Sequence, residues 1–332
     1  MTDIDTLLRT KLNSGSAQLI ETVQSLWSGY GAIERWQLDY RTVIVKRISP
    51  PNDVDHPRGW SSDLSHQRKL RSYQVEQLWY QQVASSLPDN VIIPQLLFAV
   101  RDGDLQLLVL EDLAAQGFDC ALANPSLEQI GLCVQWLARF HAHFMGDVPQ
   151  GVWQQGGYWH LDTRPEEWAV MNNLELQAAA NAIDAHIQSA TYKTLVHGDA
   201  KLANFCGSSD AVAALDFQYV GAGIGVRDLA YFLGSLFADD ELAMQQPRWI
   251  DRYFEALAQA LALKGIDSAP VEAEWRALYD FEVADFARFL DGWAPDHWKI
   301  NDSLTSSVTC VLGWYRQHYA NVVSLQSRKG DE

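Results

Sequence analysis

The sequence predicts an α+β chain of two lobes, a β-rich one over residues 1–110 and a larger, mostly helical one over residues 111–332. Three observations lead there. Before residue 111, short β-branched and aliphatic runs alternate with polar turns, and only one long helical pattern intervenes. From Leu127 onward, apolar residues recur at helical intervals almost to the end. Charge divides the chain as well. Residues 1–100 hold 10 acidic and 10 basic side chains, whereas the rest hold 32 and 15, so the whole net charge of −17 lies beyond residue 100. A neutral first third and an acidic remainder suggest two parts with different tasks.

Taken in order, residues 16–27 form a short lead-in of helix or strand, followed by the small, flexible segment Trp27-Ser28-Gly29-Tyr30-Gly31. Thr42-Val43-Ile44-Val45-Lys46-Arg47-Ile48 is β-branched and short, which predicts a strand. A loop rich in Pro, Asp and Ser runs from Ser49 to about Ser65. Between Gln67 and Leu87 no strong breaker occurs, and Leu70, Tyr73, Leu78 and Val83 fall at roughly helical intervals. Pro94–Val100 and Leu105–Leu110 read as strands joined by the turn Arg101-Asp102-Gly103-Asp104. Leu127–Phe144, Trp249–Lys264 and Val271–Phe289 are the clearest helices of the remainder.

Composition excludes several classes. With 332 residues, 48% apolar and 20% charged, the chain is neither disordered nor a small stapled scaffold. Its negative charge argues against nucleic-acid binding across the surface. The four cysteines are far apart with no C-x-x-C pair, so no metal knuckle or disulfide framework is expected and a reduced compartment fits. Acids stand where a signal peptide needs basic residues, and no apolar run approaches the roughly 18–20 residues that span a bilayer. The expectation is a cytoplasmic protein without a membrane partner; oligomeric state has no sequence signal. His141 and His143 lie two apart on a predicted helix and face different directions, a poor metal pair.

The most informative stretch is Leu195-Val196-His197-Gly198-Asp199-Ala200-Lys201-Leu202-Ala203-Asn204-Phe205-Cys206, followed after a polar turn by Ala211-Val212-Ala213-Ala214-Leu215-Asp216-Phe217-Gln218. Two short apolar runs around a four-residue turn predict a hairpin with Asn204 and Asp216 at its open end. An Asp, an Asn five residues on and a second Asp twelve further suit one chemistry. One carboxylate receives the proton of an attacking hydroxyl, while a carboxamide and a second carboxylate offer oxygen ligands to the magnesium on a nucleotide's phosphates.

His197-Gly198-Asp199 with Asn204, then Asp216-Phe217-Gln218, resembles the catalytic and metal-binding loops of the kinase fold. The form is similar to that of the aminoglycoside phosphotransferase and choline kinase superfamily, nearest its ecdysteroid kinase-like branch. The resemblance runs from about Trp27 to Trp298 and is sharpest over residues 195–233. It implies a protein-kinase-like fold, ATP and Mg as cofactors, Asp199 as the base, and Asn204 and Asp216 as the metal ligands. It also implies a strand lysine for the nucleotide phosphates, Lys46, and a helix acid to orient it, Glu76. Ser28, Gly29 and Gly31 take the place of the phosphate-covering loop, and Glu111 and Leu113 that of the adenine-binding hinge.

Lys201 follows Asp199 by two residues, as in Ser/Thr protein kinases, which implies a γ-phosphate contact. Gln218 stands where protein kinases place glycine, which argues against a mobile switch. Asp228 comes only twelve positions after Asp216, too few for a peptide-docking platform, and is expected to cap the next helix or brace the catalytic loop. The expected acceptor is therefore a hydroxyl of a small molecule. Trp275, Tyr279, Phe281, Phe286, Phe289, Trp293 and Trp298, interleaved with Glu274, Asp280, Glu282, Asp285 and Asp291, would suit a choline-like alcohol or amino sugar by cation–π attraction. A flat steroid-like alcohol would suit the aromatics equally. Two alternatives stay open: a catalytically silent kinase-fold binding module, and a protein kinase.

Overall fold

A computed structural model of the chain describes residues 3–26, 29–50, 63–103, 105–118, 122–237 and 239–327. The chain divides into two compact units, residues 1–132 with 203–218, and residues 133–202 with 219–332.

The first unit opens with helix α1 (Ile4–Leu12), for which no sequence signal was singled out. Its sheet comprises β1 (Ala17–Ser25), β2 (Gly31–Leu38), β3 (Thr42–Ile48), β4 (Leu96–Asp102) and β5 (Leu105–Glu111). The strands are antiparallel neighbours in the order β1-β2-β3-β5-β4. Side chains alternate across β3 with the period of two that a strand imposes. Val43 and Val45 turn toward Leu8 of α1, joining Leu107 and Val109 of β5 in one core. Lys46 and Ile48 take the opposite face, where Ile48 packs with Tyr73 of helix α2 (Asp63–Leu78). The predicted helix over 67–87 is thus α2 continued by a π-helical turn (Trp79–Val83) and a 3-10 turn (Ala84–Ser86). The hairpin of β7 (Phe205–Gly207) and β8 (Val212–Ala214) completes the unit.

The second unit is mainly helical. Helix α3 (Leu127–His143) carries the chain into it, followed by the short α4 (Pro165–Ala169) and by α5 (Leu174–Gln188). The strand pair of β6 (Thr194–Val196) and β9 (Gly221–Gly223) flanks the segment that carries Asp199. Helices α6 (Val226–Leu236), α7 (Asp239–Ala262), α8 (Ala269–Trp293) and α9 (Asp302–Ser327) follow. Helix α8 is buried for much of its length and packs against α4, α5, α6 and α9. Among the described residues, no helix is long and apolar enough to cross a membrane.

Candidate active site

In the first unit the sequence-predicted residues converge on Lys46. Its ammonium donates to both carboxylate oxygens of Glu76, at 2.9 and 2.7 Å, and to Asp216 Oδ1 at 2.9 Å. Lys46 and Glu76 are buried, 4% and 2% exposed, so neither charge could stand alone. Burial works to lower the lysine, but the carboxylates of Asp216 and Glu76 outweigh it and hold the ammonium above its ordinary range. Burial raises Glu76, opposed by Lys46 and helped by the charge of Asp216.

Asp216 sits with φ at +66°, one of two non-glycine residues in the left-handed region among the described residues. That backbone conformation costs about 1–2 kcal/mol, and its neighbours fasten it. Gln218 donates to Asp216 Oδ1 at 2.5 Å, while its own carbonyl accepts from Lys69 at 3.0 Å and Ser72 at 3.1 Å. Phe217 stacks on Trp79 at 4.7 Å between ring centroids and meets the edge of Tyr80. Lys69, Ser72 and Glu76 lie three and four residues apart, on one helical face. Asn204 precedes β7, and its carbonyl accepts from the Leu215 amide at 2.8 Å, which sets Asn204 and Asp216 at the open end of the hairpin.

The second unit holds the other half of the motif. Asp199, 5% exposed, forms an ion pair with Lys201 at 3.0 Å, and the Lys201 amide donates to the Asp199 carbonyl. The loop ahead of Asp199 hangs on Asp228 of α6. That fully buried carboxylate accepts from the amides of His197 at 2.5 Å and Gly198 at 2.9 Å, and His141 contacts it at 3.1 Å. Burial would raise Asp228, but His141 and the loop amides hold it below the usual carboxylate range. Of its two expected roles, Asp228 thus performs the loop brace. Gly198 has φ of +78°, and a Cβ there would stand 2.2 Å from the Tyr219 carbonyl, so only glycine fits this turn. His141 is a structural link from Asp228 to Tyr253, whose hydroxyl is 2.8 Å from it.

Beside Asp199 stand residues that sequence reasoning missed. The Tyr231 hydroxyl lies 3.1 Å from that of Tyr158, and the charge of Asp199 acts on both. Lys299 feels the charges of Asp199 and Lys201 and is lowered to about 8, chiefly by burial. Tyr231 falls in a run that reads only as an apolar helix, and Lys299 in a segment with no periodicity, so neither carried a signal. Arg227, for which the sequence suggests no role, pairs with Glu282 at 2.9 Å and Asp285 at 3.4 Å.

The remaining expected residues stay apart from these clusters. Ser28 lies outside the described residues. Gly31 has φ of +140°, and a Cβ there would meet the Arg47 carbonyl at 1.9 Å, so β-strand approach alone demands glycine. Gly29 takes φ of +73° in open space. Glu111 ends β5, and Leu113 is buried with Phe118, Cys206 and Ala213. Between them Asp112 caps the turn after it, accepting from Ala114, and binds Arg35 at 2.8 Å. The five acids among the C-terminal aromatics are engaged. Glu274 and Asp291 accept from backbone amides, Asp280 from Ser307, and Glu282 and Asp285 pair with arginines.

Residues 160–266 match the Ecdysteroid kinase-like family, a span that contains both loops of the motif. No curated protein matches the chain. Among solved structures it is similar to amicoumacin kinase hAmiN in complex with AMP-PNP, Ca2+ and Ami, at 12% identity and TM-score 0.53, over 93% of this chain and 92% of that one. It is similar to choline kinase from Cryptosporidium parvum Iowa II, at 9% identity and TM-score 0.51, over 97% and 96%. A third similarity is to the GDP complex of aminoglycoside 2'-phosphotransferase-IIIa, at 11% identity and TM-score 0.51, over 93% and 97%. At such identities the likeness establishes the fold, which is protein-kinase-like, with a sheet-rich first part and a helical remainder.

Proposed function

We propose that the chain is an ATP- and magnesium-dependent phosphotransferase that moves the γ-phosphate to a hydroxyl of a small molecule. In this reading residues 1–110 are the nucleotide-binding lobe and residues 111–332 the catalytic and substrate-binding lobe. The observation that carries it is the buried cluster of Lys46 with Glu76 and Asp216, a lysine whose two carboxylate partners come from the helix and the loop that the kinase motif names. The relatives' nucleotide complexes add support, since AMP-PNP and GDP appear in two of them.

The donor chemistry suits the metal. Asn204 and Asp216 offer hard oxygen ligands at one hairpin end, and magnesium takes the rest of its shell from phosphate and water. Bound there, it would neutralise charge on the phosphates. Lys46, held by Glu76, would bind the α- and β-phosphates, and Ser28, Gly29 and Gly31 would cover them. Backbone groups near Glu111 and Leu113 would meet the base. Asp199 would take the acceptor's proton as its oxygen forms the new bond to phosphorus, the bond from phosphorus to the ADP oxygen breaking at the same time. Lys201 would steady the charge on the moving phosphoryl.

The test is ADP release with Mg-ATP and pooled choline, amino sugars, amino alcohols and sterols. Asp199→Asn is expected to retain nucleotide binding and lose about 10²–10⁴-fold in rate. Silence in every pool, with no thermal shift by Mg-ATP, would leave the binding module as the better reading.

A further inference from the structure

In the second unit, a cleft is lined by Trp159, Tyr231, Phe286, Arg227, Glu282 and Lys299, among others. The Lys299 ammonium lies 4.2 Å from the Tyr231 ring centroid and 5.6 Å from that of Phe286. The aromatic faces that would attract a ligand's cation are thus already turned to a cation of the protein's own. The charge of Asp199 reaches both Tyr231 and Lys299 on this wall.

Arg227 and Arg288 pair with Glu282 and Asp285, and the charge of Asp184 also acts on Arg227. Asp199 is matched by Lys201 at 3.0 Å. Lys299 is different: among the described residues, no carboxylate lies within ion-pairing distance of it. We infer that this cleft binds the acceptor and selects an alcohol that bears a carboxylate on an aromatic or apolar frame, with Lys299 as the specificity-determining residue. The inference rests on the phosphotransferase reading for its hydroxyl, whose proton Asp199 takes, but the anion site itself depends only on Lys299 and the rings. Burial lowers Lys299 to about 8, so at neutral pH it is still charged, in surroundings that favour an anionic partner. A quaternary or primary ammonium would instead meet an ammonium already in place.

Three probes on one frame separate the possibilities: para-(hydroxymethyl)benzoate, para-(hydroxymethyl)benzamide and para-(hydroxymethyl)benzylamine. Calorimetric titration of the full chain should show the acid binding about tenfold or more tighter than the amide, with the amine weakest. Lys299→Met should erase the difference and Lys299→Arg should keep it, with circular dichroism confirming that both variants fold. Equal binding of the three, preference for the amine, no binding of the acid, or a preference that survives Lys299→Met would each overturn the assignment. ADP release with Mg-ATP, in the wild type and in Asp199→Asn, reads the phosphotransferase reaction separately. Acid preference without Asp199-dependent ADP release, and with no thermal shift by Mg-ATP, keeps the anion site and removes the kinase reading. Asp199-dependent release that favours the amine does the reverse.

Discussion

Lys46 illustrates how a single residue is committed by its neighbours. Two carboxylates hold it, and removing one partner of such a buried pair costs about 3–5 kcal/mol, because a charge is left behind without water. His160 is the opposite case, a titratable group buried neutral. Burial pushes it down to about 4, and its Nδ1 lies 2.9 Å from the Gly157 carbonyl. In the unfolded chain an imidazole titrates near 6.5, so between about 4 and 6.5 the unfolded state binds more protons. Stability from neutral His160 is therefore complete above that window and is lost as pH falls through it. Unfolding free energies from urea titrations of the wild type and His160→Gln should diverge with a slope of at most about 1.4 kcal/mol per pH unit there. Parallel curves in the two proteins would contradict this account.

At the scale of elements, helix α6 positions the loop that carries Asp199. Asp228 sits in its first turn and accepts two loop amides while His141 of α3 meets it from another side. Asp228→Ala would leave the His197 and Gly198 amides buried without acceptors, at about 1–3 kcal/mol for each. The expected outcome is a lower urea midpoint and a kcat that falls more than KM changes, with Asp228→Asn milder because it keeps an acceptor. An unchanged midpoint would mean that the loop holds itself. Helix α2 plays the matching part in the first unit, where one face presents Lys69 and Ser72 to Gln218 and Glu76 to Lys46. Gln218 thereby does what the glycine of a mobile switch could not, tying Asp216 to a helix.

Across the whole molecule, the motif is shared between the two units, with Asp199 and Lys201 in one and Asn204, Asp216, Lys46 and Glu76 in the other. A ligand that binds only the folded chain stabilises it by mass action, about 2.7 kcal/mol at a hundredfold excess over Kd. Mg-ATP should accordingly raise the Tm by several degrees. Lys46→Met should lose that shift although its own fold is retained, as judged by circular dichroism. A full shift in Lys46→Met would remove Lys46 from the nucleotide site. The acidic net charge of −17 agrees with a small-molecule acceptor better than with a polyanionic one.

By itself the sequence determined whatever depends on local order. Thr42–Ile48 is a strand because of its β-branched residues, the 205–214 hairpin follows from two apolar runs around a turn, and the loops at Asp199 and Asp216 are spaced by covalent geometry. Those features, with the resemblance they carry, already pointed to the kinase-like fold and to a strand lysine with a helix glutamate. Only the tertiary structure decided which polar residues are neutralised and which are left to act. The acids among the C-terminal aromatics read as a cation site until their amides and arginines are seen, and Lys299 carries no sequence signal until the rings of Tyr231 and Phe286 are placed beside it. The physical reason is that desolvation and charge pairing are long-range in sequence. A carboxylate's worth to a ligand depends on partners tens of residues away, and no local pattern records them.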